Sequence, residues 1–290
     1  VKARAVGDIA AESARIAGDY AEQLQRGVEL GLIFKGDALR ARGQAQRNQL
    51  AHQQAREQQR IAAARLAQVL RLDPVVNLAP ADSELLPLTL TTPNAALDSL
   101  VAQALGSRPE LKQGTALARA AAKQHDAATV GPLIPSLGAQ AFAGGLGGGR
   151  NNDMDNFGGS TSMALTLGWR FGPGGIFDFA RERTADARLR ATALANDKLR
   201  DGIIRQVVEA HTRVHSLRDQ LTILRRALET AEEAFRLTRE RKERGIGVVL
   251  ENIFAEQELT RARSDYVVAV AEFNKAQYGL HRATGASSPR

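Results

Sequence analysis

The feature that most constrains the fold of this chain is a run of apolar residues at heptad spacing between Asp178 and Arg244. Successive steps alternate between four and three residues for nearly five heptads, with charged residues between them and no proline. This pattern predicts a left-handed coiled-coil seam. A helix of about 66 residues would be roughly 100 Å long, which excludes a compact globular domain. The seam consists of Ile203, Val207, Ala210, Val214, Leu217, Leu221, Leu224, Leu228, Ala231 and Phe235.

The predicted rod ends at a glycine turn, and a second helix follows. Gly245 and Gly247 flank Ile246, and glycine commonly supplies the tight turn that ends a helix. A second apolar seam then repeats in steps of three and four over residues 250–284, which predicts an antiparallel helical hairpin. This seam consists of Ala255, Leu259, Ala262, Tyr266, Ala269, Phe273, Ala276 and Leu280.

The same hairpin occurs near the start of the chain. A shift of 214 residues, the separation of Gly31 from Gly245, also superposes Asp37 on Glu251. Turn and seam keep one register, which indicates an internal repeat. Residue 1 falls opposite residue 215, midway along the rod, so we expect an N-terminally incomplete chain. The predicted elements of the first copy are a helix over 9–30, a turn over 31–36 and a return helix over 37–72.

The seam of the first hairpin is more polar than that of the second. Asn48, His52 and Gln59 occupy seam positions. Burying an unpaired polar side chain costs free energy, so the neighbouring helices must hydrogen bond to these groups or leave them in water. A helix that lines a wet channel would meet this condition.

Between the hairpins the chain changes character. Residues 75–92 are punctuated by prolines, and a short amphipathic helix is expected from Pro93. Ser107 and Glu110 flank a proline in the form of a capping box. They predict the start of an alanine-rich helix that reaches about Thr129.

Two strands are expected next, over residues 136–146 and 160–171. The second alternates apolar residues with small or polar ones, as a strand with one apolar face does. Twelve tilted residues can cross a bilayer as part of a barrel. One strand pair cannot close a barrel, because its open edges cannot face lipid. The apolar positions are Met163, Leu165, Leu167, Trp169 and Phe171.

Composition excludes several classes of function. The chain has no cysteine, which excludes a disulfide framework or thiolate chemistry. Its net charge is +7, but basic and acidic residues mix along the predicted helices, so we predict solvated helix faces and no nucleic-acid partner. No segment has the roughly 18 apolar residues of a transmembrane helix.

Candidate sites for chemistry are weak. His211 and His215 are four residues apart, a spacing that can place two imidazoles on one metal ion. A third ligand is not evident, so we assign them as solvated or interface histidines and predict no metal. The glycine run over 144–149 lacks the ending of a phosphate loop. We therefore predict no enzyme activity and no cofactor.

Three short motifs complete the pattern: Arg108-Pro109-Glu110-Leu111, the stretch Trp169–Gly175 after a strand, and Phe273–Leu280 at the end of the last helix. In this order, with the duplicated hairpin, the chain resembles the TolC-like outer membrane efflux protein family over essentially its whole length. The resemblance implies a mainly α fold with a small β part. Long antiparallel coiled-coil hairpins would form an α-barrel, and a membrane β-hairpin would contribute to a trimeric β-barrel.

The resemblance also implies an organisation and partners. We expect a homotrimer in the outer membrane of a Gram-negative bacterium, with a large periplasmic portion. It would contact outer-membrane lipid, a periplasmic adaptor and an inner-membrane pump. The expected divisions are a first periplasmic hairpin over 1–72, an equatorial region over 73–106, an upper helix over 107–135, the membrane β-hairpin over 136–172 and the second periplasmic hairpin over 173–290.

The two turns would lie at the periplasmic tip, where the family's channel opens and meets its adaptor. We expect their apolar residues, Ile33 and Val249 among them, to be exposed, which suggests a protein contact. Asp37 and Glu251 follow the turns. They either stabilise helix N-termini through the helix dipole or share in gating and docking. The candidate docking residues are Gly31, Leu32, Ile33, Phe34, Asp37, Gly245, Ile246, Gly247, Val248 and Glu251, with Val249 beside them.

We predict a passive channel in a tripartite efflux or type I secretion system. The alternative is a soluble coiled-coil scaffold or a periplasmic adaptor without channel activity. The alternation from Met163 to Phe171 argues against a scaffold, which has no need of a half-lipophilic strand. A basic nucleic-acid-binding coiled coil would need its positive charge on one face, and here both signs mix.

Overall fold

The computed structural model describes residues 1–73, 75–76, 78–81, 84–90, 95–147, 157–244 and 247–286. They form two compact units, one of residues 1–102 and 206–290 and one of residues 103–205. The elements in chain order are α1 (Lys2–Glu29), α2 (Lys35–Val69), α3 (Leu97–Ser107), α4 (Pro109–Thr129), a 3-10 turn (Gly131–Leu133), β1 (Ser136–Gly147), β2 (Phe157–Gly168), α5 (Phe179–Glu243) and α6 (Val249–Ala283).

The predicted rod is confirmed as α5, a single helix of 65 residues. Its predicted seam is confirmed too. Ile203, Val207 and Val214 are buried, and the later seam positions are half-buried between exposed neighbours. On α6 the seam residues from Ala269 to Leu280 are buried as well. The heptad pattern therefore reports which side of each helix faces its neighbours.

The first unit has a core where α1, α2 and α6 meet. Tyr20 and Leu24 on α1 pack against two alanines of α2 and Ile253 of α6. Ala38 and Ala41 are almost fully buried, and their small side chains let the backbones approach closely. Partly buried Ala21, Val28, Ile33 and Val249 complete this cluster.

The predicted capping residue Ser107 lies one position before the N-cap of α4. The residue at the N-cap is Arg108, whose side chain makes no capping hydrogen bond. The Ser107 hydroxyl instead donates to the Gln103 carbonyl one turn earlier, at 2.8 Å. Ser107 is the last residue of α3, so its side chain serves the end of that helix. Pro109 at the first position of α4 is as predicted.

In the second unit, α4 and α5 approach each other at Gly114. A Cβ atom there would overlap Asn196 Oδ1 and lie 3.3 Å from Leu199 Cδ2. The two strands form an antiparallel sheet in which Ser136 pairs with Gly168 and Gly147 pairs with Phe157. The β-hairpin is thus confirmed, with twelve residues in each strand.

The second strand ends earlier than predicted, at Gly168 and not at Phe171. Its partner begins at Ser136 directly after Pro135, which has no N–H to continue the ladder. Phe171 instead makes an isolated bridge to Ile176. Trp169 and Phe171 therefore lie beyond β2, after its last paired residue.

In the part of the chain that the structure describes, no helix is both long enough and apolar enough to cross a membrane.

Candidate functional site

The first tip turn exposes two of its three apolar residues. Gly31 has φ of +72°, a conformation that glycine adopts without strain. It reverses the chain so that the Leu32 amide donates to the Gly27 carbonyl at 2.8 Å. Leu32 is 79% exposed and Phe34 is 73% exposed. These two side chains form the apolar surface of the turn.

Ile33 does not belong to that surface. It packs against the core cluster between α1, α2 and α6. A Cβ atom on Gly27 would lie 2.5 Å from Ile33 Cδ1, so the glycine provides the space that Ile33 fills. The expectation that Ile33 is exposed is therefore wrong, because the turn directs its side chain inward and fixes the turn to the core.

In the second tip turn, Gly245 and Ile246 lie outside the residues that the structure describes. Gly247 lies close to the end of α5, where an added Cβ would lie 2.9 Å from Lys242 Cα. Val248 is the N-cap of α6 and is exposed. Val249 is half-buried against the core cluster, so its expected exposure is also wrong.

The two acidic residues after the turns each have a cationic partner. Asp37 accepts a hydrogen bond from Arg40, one turn along α2, at 2.9 Å. Glu251 accepts one from Arg241 at the end of α5, at 2.7 Å. Both lie in the first turn of their helices, as the helix dipole favours. Glu251 additionally links the two helices of its hairpin.

Behind the turns, α5 contacts α1 through a cation and an aromatic ring. The Lys242 ammonium lies 4.0 Å from the centre of the Tyr20 ring, within the range of a cation–π interaction. Burial lowers the pKa of Lys242, and Arg239 lowers it further. Burial and the charge of Asp37 raise the pKa of Tyr20.

Further along α6 from the tip turn, a buried carboxylate links α6 to α1 and α2. Glu256 of α6 is 5% exposed. Its Oε1 accepts hydrogen bonds from Ser13 at 2.6 Å, from Asn48 at 3.2 Å and from Thr260 at 3.4 Å. Among the described residues no cation forms an ion pair with Glu256. Burial raises its pKa, and the three hydrogen bonds lower it by less.

This network accounts for part of the polar seam. Asn48 donates to both the carbonyl and the hydroxyl of Ser13 and accepts from Gln44 at 2.8 Å. Two of its partners, Ser13 and Glu256, thus lie on the neighbouring helices α1 and α6. His52 differs, because its Nδ1 is buried and has no partner within the described residues. Sequence reasoning missed Ser13 and Glu256, although a polar seam residue such as Asn48 signals that partners exist.

Ion pairs link the outer edges of α1, α5 and α6. Glu272 on α6 meets Arg213 on α5 at 3.4 Å and Lys2 on α1 at 4.0 Å. Arg263 on α6 reaches Glu12 on α1 at 3.2 Å and Glu232 on α5 at 3.7 Å. These pairs are partly exposed, so each contributes little by itself. Together they define which helices are neighbours.

The strand hairpin presents one apolar face. Leu167, Leu165 and Met163 lie opposite Leu137, Ala139 and Ala141, and opposed residues of an antiparallel pair share a face. Met163 is 91% exposed and Leu165 is 80% exposed. The other face carries mainly small or polar residues, although Phe142 also lies on it. Trp169, just past β2, donates from its indole nitrogen to the Leu133 carbonyl at 3.2 Å.

Within the described ranges, no group of three or more histidine, aspartate or glutamate side chains could hold a metal ion. His211 and His215 do meet, with their Nε2 atoms 3.1 Å apart.

The chain combines helical hairpins that have buried seams with a strand pair whose apolar face is exposed. This combination is that of an outer-membrane channel of the efflux type. The model of the outer membrane efflux protein family matches residues 100–286. The chain belongs to this family, whose members are non-enzymatic transporters.

Solved structures agree on the fold. The outer membrane protein VceC from Vibrio cholerae has a TM-score of 0.81 at 18% identity, with 99% of this chain and 67% of that chain covered. A membrane protein from Pseudomonas aeruginosa has a TM-score of 0.82 at 19% identity, with 98% and 65% covered. The CmeC outer membrane channel of Campylobacter jejuni has 0.79 at 12%, with 100% and 61% covered.

The chain thus spans about two thirds of the length of these channels. A search of curated proteins found no match.

Proposed function

We propose that the protein is the outer-membrane duct of a tripartite efflux or type I secretion system. Three copies would assemble around one pore, through which substrates pass passively from the periplasm to the exterior. An inner-membrane pump supplies the energy, and a periplasmic adaptor joins it to the duct. The protein performs no chemistry on its cargo.

The observation that carries the proposal is the exposed apolar face of the strand hairpin. Met163 and Leu165 are almost fully exposed on a strand whose other face is mainly small or polar. Lipid hydrocarbon makes such a face favourable, and water does not. Because two strands cannot close a sheet on themselves, the hairpin acquires partners in the trimer, and a shared barrel results.

The tip turns support the proposal that a periplasmic adaptor is a partner of this protein. Leu32, Phe34 and Val248 are apolar and exposed at the turns. They project from turns that Ile33 and Val249 fix to the core. Exposed apolar residues on turns that pack against a core suit a protein contact. We propose that the adaptor's helices bind here.

The test is the oligomeric state and single-channel conductance of the full-length protein in planar lipid bilayers. We expect a stable trimer with a steady ionic conductance. A photo-reactive amino acid at position 32 should additionally crosslink to a periplasmic adaptor in intact cells, whereas one at the buried position 24 should not.

A monomer or dimer that never inserts would contradict the duct and favour a coiled-coil scaffold. A conducting trimer without the crosslink would support the duct and contradict only the proposal that the adaptor binds at the tip turns.

A further inference from the structure

Two histidines on α5 bring their ring nitrogens together. His211 and His215 are one helical turn apart, so their side chains share a face. Their Nε2 atoms are 3.1 Å apart. The ring centres are 4.4 Å apart, and the ring planes are inclined by 51°. Both side chains are half-buried, which leaves a path for water and small ions.

The separation of the two nitrogens suits a shared metal ion. Histidine nitrogens bind zinc at about 2.0–2.1 Å. Two nitrogens 3.1 Å apart at that bond length subtend an angle of about 95–102° at the metal. This value lies between the ideal angles of square-planar and tetrahedral coordination. To bind one ion, the two rings would exchange their present nitrogen-to-nitrogen contact for a geometry in which both lone pairs point at the metal.

The surroundings favour the neutral form of His211, the form in which an imidazole binds a metal. Burial lowers the pKa of His211 most, and the charges of His215 and Arg218 lower it further. A hydrogen bond between the His211 ring and the Ala95 backbone acts in the opposite direction. In a metal complex both rings would carry their proton on Nδ1, and a backbone carbonyl is the usual acceptor for it.

We propose that His211 and His215 form a two-nitrogen site for a divalent transition-metal ion of the zinc, nickel and copper class. Imidazole suits these three metals. Water completes the coordination, since no third protein ligand is present among the described residues. The site is thus open and exchangeable. It adds an ion-binding property to α5 that transport through the duct does not require.

The test is a calorimetric titration of the full-length protein, without a polyhistidine tag, in detergent at pH 7.5 with Zn²⁺. We expect one site per protomer. His211→Gln and His215→Gln should each weaken binding at least about 10-fold, since even the loss of an outer-shell partner has that effect. The matched control is His125→Gln, because His125 is a half-buried histidine elsewhere on the chain.

A second variant guards against a folding defect. Exchanging His215 and Ser216 keeps the composition and moves the imidazole off the shared face, so binding should be lost while the circular dichroism spectrum is retained. Arg218→Gln removes a nearby positive charge and should tighten binding. Absence of saturable Zn²⁺ binding in the unaltered protein, or equal affinity in the exchanged variant, would overturn the proposal and leave a pair that shares a proton.

Discussion

The helical unit and the strand hairpin place their apolar side chains in opposite ways. In the unit of residues 1–102 and 206–290, Val207 and Val270 are completely buried and Leu280 is 2% exposed. On the hairpin, Met163 and Leu165 are the exposed ones. Both regions obey the same rule, because the hydrophobic effect penalises only contact between apolar surface and water. In the proposed duct the difference has a simple reason, because the helical unit meets water and the apolar face of the hairpin meets lipid.

The largest expected effect is on the buried side of this comparison. Leu280→Ala should destabilise the helical unit by about 2–5 kcal/mol, because it removes packed atoms and leaves a cavity. The matched change is Leu165→Ala, which touches no core and should change helix unfolding by less than about 0.5 kcal/mol. Thermal unfolding followed by far-ultraviolet circular dichroism in detergent measures both. Equal shifts of the melting temperature in the two variants would contradict the difference between the buried and the exposed region.

The next effect is on the exposed side. Leu165→Arg should disfavour bilayer insertion by about 2–4 kcal/mol, the cost of a guanidinium on the lipid face near the bilayer midplane. Ala164→Arg is the matched control. It lies on the other face of β2 and should leave insertion intact while changing the conductance. Folding yield into liposomes is the measurement, and a larger loss for Ala164→Arg would reverse the assignment of faces.

The tip turns combine exposed apolar residues with a buried core. The glycines of the two turns have different roles. Gly31 adopts a positive φ, whereas Gly247 allows the chain to pass close to the backbone of Lys242. Asparagine tolerates positive φ but not the loss of space. Gly247→Asn should cost about 1–3 kcal/mol through overpacking, and Gly31→Asn clearly less. Denaturant titration compares them, and the opposite order would refute these roles.

The smallest effect concerns the charge buried at Glu256. Its raised folded-state pKa means that folding favours the protonated acid. The stabilisation is therefore complete below the ordinary pKa and is lost as the pH rises through the raised value. Glu256→Gln should remove this part of the pH dependence and raise the melting temperature near neutral pH. Glu258→Gln, an exposed change on the same helix, is the control. If the pH dependence of stability is unchanged in Glu256→Gln, the contribution assigned to this carboxyl group is contradicted.

Much of this organisation follows from local patterns. The seam of α5 was predictable because heptad spacing allows only one packing side over so many turns. The hairpin was predictable from the alternation around Leu165. The end of β2 was not, because it depends on where β1 begins. The division of the chain into five regions remains a prediction.

The site was less predictable than the fold. The direction of Ile33 depends on space left by Gly27, a contact between residues of a turn that no spacing rule encodes. The network at Glu256 joins residues more than 200 positions apart, such as Ser13. Only Asn48 signalled it, through its polar side chain at a seam position. Long-range hydrogen bonds of this kind become visible when three helices are placed together.

The central claim is that the apolar face of the hairpin meets lipid. Residues 1–290 contain no cysteine, so single cysteines from position 160 to position 168 can each carry a nitroxide label. Paramagnetic accessibility of the full-length protein in liposomes is the measurement. We expect oxygen to reach labels at 163, 165 and 167, and a water-soluble nickel chelate to reach those at 162, 164 and 166. Access of the chelate to every position without alternation would contradict the account.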